Sequence, residues 1–253
     1  MARDVREIDP YGRPLTIHPS RSARATLTDA SVLDIDMLQT GHGDRRSIPN
    51  TLRLLQGAYD GTPALPVING EVCYEGIGEA CRQEVQRFMF WMCMLSGACG
   101  HTYGANGIWQ VNTREAPYGP SPHGRSWGDT PWEEAHRLPG SAQVGMGKRF
   151  LERYPWWRFE PHPEWVDGHA TPENVFAPYA GGIPGKVRVI FLPSGVWGIT
   201  VKGLESAHRA FLFSPVDGRE HEIGTVTPDG NGDWKLTMPS PIFQDWVLVL
   251  ETE

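Results

Sequence analysis

The most constraining feature of the sequence is the run FMFWMCML at residues 88–95, in which every side chain is apolar. It closes a longer stretch, residues 79–95, whose apolar side chains recur at helical spacings of three and four. These side chains are Cys81, Val85, Phe88, Met89, Met92 and Leu95. A helix that is apolar on all sides has to be buried, and this one is shorter than the roughly 20 apolar residues that cross a membrane. The run therefore predicts a buried helix of a globular protein.

A short apolar strand with a glutamate at its end precedes this helix. The run LPVI at residues 65–68 is rich in β-branched side chains and is flanked by proline and glycine. This pattern favours a buried strand of a parallel sheet at residues 65–69. Glu71 then stands at the carboxyl end of the strand, where α/β proteins place their chemistry. Glu71 is the first candidate for a functional residue.

Strand, polar tip and connection recur about four times in the first part of the chain, a rhythm typical of βα units. The predicted strands are residues 14–18, 32–39 and 65–69 and a region around 101–109; the predicted helices are residues 50–59, 79–95, 132–137 and 141–154. Four units are too few for a complete (β/α)8 barrel. Residues 112–139 are rich in Pro, Gly, Ser and Trp, and a loop of this length usually serves a site.

The pattern changes beyond residue 168, where short apolar segments alternate with turn sequences. The predicted strands are residues 186–192, 198–202, 209–214, 220–224, 232–238 and 246–251. Six or seven strands at this spacing predict a small antiparallel β-sandwich. We place the domain boundary near residues 168–176, which gives an α/β domain over residues 1–168 and an all-β domain over residues 169–253.

Composition excludes one class of partner and suggests another. The net charge is -7 and the isoelectric point is near 5.7, without a basic stripe, so a nucleic-acid partner is not expected. Ten Trp and seven Tyr among 253 residues suit a protein that stacks sugar rings on aromatic side chains, although large rings are most often part of a core.

The cysteines and the amino terminus bear on the cellular compartment. Cys73, Cys81, Cys93 and Cys99 form no C-x-x-C pair, and we expect buried thiols rather than a disulfide framework or a zinc site. The first 14 residues are charged and have no apolar core, so no signal peptide is expected in this chain. Either the protein is cytoplasmic or the natural chain starts elsewhere.

Four segments together resemble one enzyme family. They are TGHGD near residue 40, PVINGEVCYEG near residue 70, RFMFWMCMLSGACGHTYGANGIW from residue 87, and the closing QDWVLVLE. Nearly the whole chain is similar to the apiosidase-like glycoside hydrolases, and residues 66–110 are its most specific part. The resemblance implies a (β/α)8 (TIM-type) barrel, here only approximately strands five to eight, followed by a small antiparallel β-sandwich that carries a collagen-binding name.

The resemblance also implies a catalytic role for Glu71. Barrel glycosidases of this kind carry an acid/base at the end of strand four and a nucleophile at the end of strand seven, and Glu71 falls at the strand-seven position. The acid/base carboxylate would then lie upstream of residue 1. A retaining glycosidase needs two carboxyl groups about 5 to 5.5 Å apart. We therefore expect the carboxyl-terminal half of such an enzyme, with a nucleophile but without its acid.

Other residues are candidates for binding the substrate, and each has a structural alternative. His42 and Asp44 follow a predicted strand, and either bind sugar hydroxyls or pair with each other. Tyr74 either forms a hydrogen bond with Glu71 or is a buried tyrosine whose hydroxyl has another hydrogen-bond partner. Glu75 stands where a helix dipole favours an acid, and is structural or orients its neighbour. The predicted sugar pocket after the last parallel strand consists of His101, Tyr103, Asn106 and Trp109.

The first interpretation is thus a glycoside hydrolase that acts on a plant-type polysaccharide or its oligosaccharides. No cofactor, metal or membrane is implied. The alternative is a catalytically inactive fragment that binds carbohydrate or protein, and an intermediate case is an enzyme completed by another chain. A partial barrel leaves strand edges uncovered, so self-association through those edges is also expected.

Overall fold

The computed structural model describes residues 2–115, 128–237 and 243–252. The helices in these ranges are α1 Ala2–Ile8, α2 Ala23–Thr26, α3 Ser47–Tyr59, α4 Gln83–Leu95, α5 Trp132–Ala135 and α6 Pro139–Leu151. The strands are β1 Asp36–Gln39, β2 Val67–Glu71, β3 Gly100–His101, β4 Glu160–Pro161, β5 Tyr179–Ile183, β6 Val187–Leu192, β7 Gly198–Val201, β8 His208–Phe213, β9 Glu220–Val226, β10 Trp234–Thr237 and β11 Trp246–Thr252. None of these helices combines the length and the apolar character needed to cross a bilayer.

The first three strands form a parallel sheet in the order β1-β2-β3. Helix α3 follows β1, α4 follows β2, and α5 and α6 follow β3. Because parallel strands point the same way, their carboxyl ends meet at one edge of the sheet. A register shift between Leu38 and Gln39 brings Gln39 opposite Glu71 at that edge.

The two faces of this sheet have different surroundings. Leu38 and Val67 are buried and share one hydrophobic core with α3 and α4. Met37 and Ile68 point to the other face and are only partly buried. Gly70 lies on that face as well, because a Cβ there would stand 2.6 Å from Met37 Cγ. The chain thus covers one face of the sheet with helices, and on the other face the Met37 side chain fills the space beside Gly70.

The strand predicted at residues 14–18 is wrong. This segment has no regular secondary structure and is tied to its neighbour mainly through Asp34. The backbone N–H of Asp34 donates to the Leu15 carbonyl at 2.9 Å, and the Leu15 N–H donates to the Asp34 carboxylate at 2.7 Å. The Asp34 side chain therefore accepts the hydrogen bond that a backbone carbonyl would accept in a strand ladder. The parallel sheet has three described strands rather than the four predicted.

The C-terminal half is antiparallel, as its alternating sequence predicted. A six-stranded sheet has the order β4-β5-β6-β11-β8-β9, and β10 pairs with β7 in a second sheet. Residue 238 of the predicted strand at 232–238 lies outside the described residues. Strands β4 and β5 were missed because β5 (YAGGI) contains two glycines. The chain enters the six-stranded sheet at β4, ahead of the predicted boundary at residue 168.

Alternation divides the central strands between two cores. In β11, Val247 and Val249 join the core that contains α4, whereas Leu248 and Leu250 join a second core with residues of β7 and β10. The centre of the six-stranded sheet is therefore buried on both faces, whereas most residues of the edge strand β9 are exposed. Its first core is continuous with that of the parallel sheet, so the two parts of the chain pack as one body.

Helix α4 is the shared element, and the apolar run at residues 88–95 is buried as predicted. The Phe88 ring packs edge-on against Phe191 at 5.5 Å, and Trp91 lies nearly parallel to Phe191 at 6.5 Å. Arg87 is also buried. Its guanidinium donates to the Asp245 carboxylate at 2.6 Å and to Gln143 at 2.7 Å, which ties α4 to α6 and to the segment before β11.

Helix α4 begins four residues later than predicted, and the preceding segment holds a disulfide. Gly76, Gly78, Glu79 and Cys81 all have positive φ, so the chain turns back on itself instead of extending the helix. The turn brings the Cα atoms of Cys73 and Cys81 to 6.3 Å, and the two residues form a disulfide. The expectation of free thiols is wrong for this pair and holds for Cys93, which is buried; Cys99 is free but exposed.

Candidate active site

Glu71 lies at the carboxyl edge of the parallel sheet and is surrounded by polar side chains. Its Oε1 is 2.8 Å from His42 Nε2 and 2.9 Å from the Tyr74 hydroxyl. Its Oε2 is 2.5 Å from His18 Nε2. The Glu71 side chain is 12% exposed, so it is reachable but mostly shielded from water. Both carboxylate oxygens are thus oriented by rings that come from three different segments.

The hydrogen bonds favour the ionised form of this carboxyl group. Burial alone raises the pKa of Glu71, but hydrogen bonds from Tyr74, His42 and Gln39 outweigh burial, and the pKa lies below its ordinary value. A carboxylate oxygen only accepts, so the Nε2 of His42 carries a proton and donates to Glu71. His18 lies within ion-pair distance of the other oxygen. Among the described residues no group of three His, Cys, Asp or Glu side chains is arranged to hold a metal ion.

The loop between β2 and α4 holds Tyr74 against Glu71. The Tyr74 ring packs on His42 with ring centres 4.5 Å apart. The disulfide between Cys73 and Cys81 closes the loop, and Gln86 Nε2 donates to the carbonyl groups of both cysteines, at 2.8 and 3.2 Å. Burial, and after it the hydrogen bond to Glu71, raises the pKa of Tyr74, so its hydroxyl stays protonated and donates. The hydrogen bond considered from the sequence is present.

Asp44 was predicted to contact substrate, and the structure gives it a position in the same loop assembly. Its Oδ1 accepts from the backbone N–H of Cys81 at 3.1 Å, and its own φ is 56°, a left-handed conformation that non-glycine residues seldom adopt. Asp44 thereby connects the turn after β1 to the loop after β2. We read it as a support for the site rather than as a contact to ligand.

Glu75 lies four residues beyond Glu71 in a different environment. It is 1% exposed, accepts a hydrogen bond from the Tyr103 hydroxyl at 2.6 Å, and accepts another from the Gly140 backbone N–H at 3.0 Å. Burial raises the pKa of Glu75 above its ordinary value, and these two bonds only partly offset the rise. Glu75 therefore connects the loop after β2 to the start of α6, through Gly140, and to the loop after β3, through Tyr103.

The other predicted pocket residues after β3 do not form one set. His101 pairs with Asn69, whose side chain faces Cys93 of α4. The His101 ring lies 5.7 Å from Phe90 and borders a cavity of about 200 Å³ between α4 and α6. Burial lowers its pKa to about 4, so the ring is neutral. The structure thus places His101 on the helical side of the sheet and does not bring it together with Glu71.

Asn106 and Trp109 belong to the loop after β3. Asn106 is 1% exposed, and its backbone N–H donates to the Glu75 carbonyl at 2.9 Å, so it is part of the buried support. Trp109 is 46% exposed. The central part of the long loop predicted to serve the site, residues 116–127, lies outside the described residues.

Two residues of the Glu71 cluster were missed or underrated. His18 was read as the end of a strand that does not form, and Gln39 was not considered. Gln39 is the last residue of β1, and the parallel register, with its shift after Leu38, places it opposite Glu71. Its place at a strand end is the one signal that the sequence contained. The position of His18 depends on the irregular path of residues 12–19, for which no sequence pattern exists.

Comparison with known families and structures gives two kinds of match. Residues 1–158 match the family model of the apiosidase-like catalytic domain. No curated protein matches the chain. Among solved structures, a glycoside hydrolase superposes with a TM-score of 0.84 at 22% identity, over 99% of this chain and 60% of its own length.

A second solved structure, a glycoside hydrolase of family 5 from Bacteroides vulgatus ATCC 8482, gives a TM-score of 0.82 at 23% identity. It is matched over 99% of this chain and 58% of its own length. This chain therefore spans about 60% of the length of these structures. At such identities the likeness concerns the fold.

Proposed function

Because the chain belongs to the family of apiosidase-like catalytic domains, we propose that it carries the catalytic nucleophile of a retaining glycoside hydrolase and that this nucleophile is Glu71. The observation that carries the proposal is one partly shielded carboxylate, held ionised by neighbouring hydrogen-bond donors at the carboxyl edge of a parallel sheet. An ionised and oriented carboxylate is the group that attacks an anomeric carbon.

The chemistry follows from that geometry. A Glu71 oxygen forms a bond to the anomeric carbon while the glycosidic C–O bond breaks and its electron pair leaves with the departing oxygen, which takes a proton from a general acid. Water then hydrolyses the glycosyl ester and restores the carboxylate. His18, His42 and Tyr74 fix the two carboxylate oxygens, so that the attacking lone pair is aimed before the substrate arrives.

The reaction also needs a general acid, and no direct partner of Glu71 is a candidate for it. The described hydrogen-bond partners of Glu71 are imidazole, phenol and amide groups, and none is a carboxyl group. The two carboxyl groups of a retaining enzyme stand too far apart to share a hydrogen bond, so we infer the origin of the acid/base from the family resemblance, which assigns it to barrel strand four, ahead of the units found in these 253 residues. This inference agrees with the greater length of the two solved structures that share the fold.

The proposed substrate is a plant-type polysaccharide or an oligosaccharide derived from it. In this pocket His42, Tyr74 and His18 contact the sugar close to the bond that breaks, and the half-exposed Trp109 ring supplies an apolar surface for a sugar face. Glu75, Asp44, Tyr103 and Asn106 hold the loops that carry these groups.

A panel of 2,4-dinitrophenyl glycosides tests the proposal, because this leaving group departs without a general acid. Wild type should release dinitrophenolate from at least one of them, as a burst if the glycosyl ester hydrolyses slowly without its general base, and Glu71→Gln should lower the rate of that release on the order of 10³-fold or more, since the variant has no nucleophile. Glu79→Gln is the matched control, because Glu79 lies in the same segment with its side chain 71% exposed. Equal rates for wild type and Glu71→Gln would sink the nucleophile assignment. Absence of hydrolysis across the panel would favour the alternative of a non-catalytic carbohydrate-binding chain.

A further inference from the structure

A second concave site lies apart from Glu71, between the helices of the parallel sheet and the C-terminal strands. It is a groove of about 260 Å³, which we call the interlayer groove. Its lining consists of Arg45, Ile48, Glu84, Val85, Phe88, Phe176, Ser194, Phe243 and Asp245. The groove therefore joins residues near the start of α3 and α4 to loops of the antiparallel half.

The groove has an apolar floor and aromatic walls that are open to solvent. Phe88 is buried at its base, and Phe176 packs on it at a ring distance of 5.5 Å while remaining 50% exposed. Phe243 is 70% exposed, and Trp197, beside it at 6.3 Å, is 62% exposed. A cluster of exposed rings, unlike a single exposed ring, is a mark of a surface that meets a ligand or a partner.

Polar groups stand around these rings at fixed positions. Arg45 and Glu84 approach each other to 3.8 Å and are 62% and 43% exposed, so both keep hydrogen-bonding capacity toward a ligand. Ser194 adds an exposed hydroxyl. Flat apolar faces bordered by a few charged and hydroxyl groups match the chemistry of a sugar ring, which has C–H faces and a rim of hydroxyls.

The groove is continuous with the Glu71 cluster along the chain. Arg45 belongs to the short turn Asp44–Arg46 and follows His42, a direct partner of Glu71, by three residues. Three residues span at most about 11 Å, so the mouth of the groove and the cluster lie within reach of a single oligosaccharide. Asp44 fixes this turn by accepting from the Cys81 N–H at 3.1 Å.

We propose that the interlayer groove is a second carbohydrate-binding site, which holds part of a glycan chain while another part lies at Glu71. Phe243 and Trp197 provide the stacking surface, and Arg45, Glu84 and Ser194 bind hydroxyl groups. The ligand class rests on the proposed function, whereas binding in the groove does not depend on the chemistry of Glu71.

Native gel electrophoresis of the full chain tests the site, with soluble pectin, xylan or xyloglucan cast into separate gels. Wild type should be retarded by at least one polysaccharide, and Phe243→Ala and Trp197→Ala should each weaken the apparent affinity about tenfold or more. Both side chains are exposed, and unchanged thermal unfolding checks that the variants fold. Trp157→Ala is the matched control, because Trp157 is 72% exposed and lies outside the groove; its retardation should equal that of wild type.

Two results would overturn the groove proposal: wild type that migrates as in a gel without polysaccharide, or groove variants retarded as strongly as wild type. Glu71→Gln separates this proposal from the proposed function. Undiminished retardation of Glu71→Gln supports the groove, whether or not that variant has lost hydrolysis. Retardation lost in Glu71→Gln but retained in Phe243→Ala would contradict the groove and assign binding to the Glu71 cluster.

Discussion

The surroundings of Glu71 and Glu75 differ although the two residues belong to one connection. Glu71 sits at the strand edge, is partly accessible, and has its pKa lowered by hydrogen bonds that outweigh burial. Glu75 is almost fully buried, and burial raises its pKa. The same side chain thus serves two purposes four residues apart. Accessibility and the balance between burial and hydrogen-bond donors, rather than the presence of an acid, therefore distinguish a reactive carboxylate from a supporting one.

The largest effect on stability should come from removing the buried glutamate. Glu75→Ala leaves the Tyr103 hydroxyl and the Gly140 N–H without their acceptor and opens a cavity, so we expect a loss of about 2–4 kcal/mol in the free energy of unfolding. Glu71→Ala is the comparison and should cost less than about 1 kcal/mol, because its partners can be hydrated. Urea unfolding measures both, and equal losses would break the distinction between the two glutamates.

The disulfide between Cys73 and Cys81 closes the loop that carries both Tyr74 and Glu75. Replacing Cys73 and Cys81 together by serine should cost about 2–3 kcal/mol, because the unfolded chain regains the freedom of the short closed loop. Cys99→Ser, at the exposed free cysteine, is the control and should leave the unfolding midpoint unchanged. A double variant as stable as wild type would show that Gln86 and Asp44 hold the loop without the disulfide.

Tyr74 and Tyr103 form a matched pair, since each donates to one of the glutamates. Tyr74→Phe removes a bond that lowers the pKa of Glu71, so the acid limb of the activity profile should move to higher pH and kcat should fall about tenfold. Tyr103→Phe should leave the acid limb in place. Rates of dinitrophenyl glycoside hydrolysis between pH 3 and 7 give both profiles, and a shift caused by Tyr103→Phe alone would reverse our assignment.

The smallest expected effect is a difference of sign in the pH dependence of stability. The pKa of Glu71 is lower in the folded than in the unfolded chain, so its contribution is present above the unfolded value of about 4.3 and is lost as pH falls through the lowered pKa. The pKa of Glu75 is raised, so its contribution is complete below that value and is lost as pH rises through the raised pKa.

This sign difference can be read from two conservative variants. As pH rises from 3 to 7, the stability of wild type relative to Glu71→Gln should increase, whereas its stability relative to Glu75→Gln should decrease. Urea unfolding at several pH values provides both differences. Changes in the same direction for the two variants would contradict opposite pKa shifts.

The sequence predicts most of this fold where a pattern repeats. The apolar run at 88–95, the strand before Glu71 and the alternating C-terminal strands correspond to observed elements because periodicity reflects burial directly. The strand prediction for residues 14–18 was wrong because the Asp34 side chain binds the backbone of this segment. The prediction of free thiols at Cys73 and Cys81 was wrong because the turn that joins them depends on positive φ at several residues. Neither effect leaves a periodic signal.

The sequence also predicts part of the candidate site. Glu71 could be found from its place at a strand end, and Gln39 follows once the parallel register is known. His101 misled because strand residues alternate between faces, and a displacement of one residue moves a side chain from the site to the helical side. His18 reaches Glu71 along an irregular path that only the folded chain reveals.

Trapping of the glycosyl ester shows directly whether Glu71 is the nucleophile. A dinitrophenyl 2-deoxy-2-fluoroglycoside of the sugar that wild type hydrolyses should inactivate the chain, because the fluorine slows release of the ester. Peptide mass spectrometry should then place one glycosyl group on Glu71 and none on Glu75, and Glu71→Gln should remain unlabelled. A glycosyl group on another carboxylate, or equal labelling of wild type and Glu71→Gln, would contradict the claim.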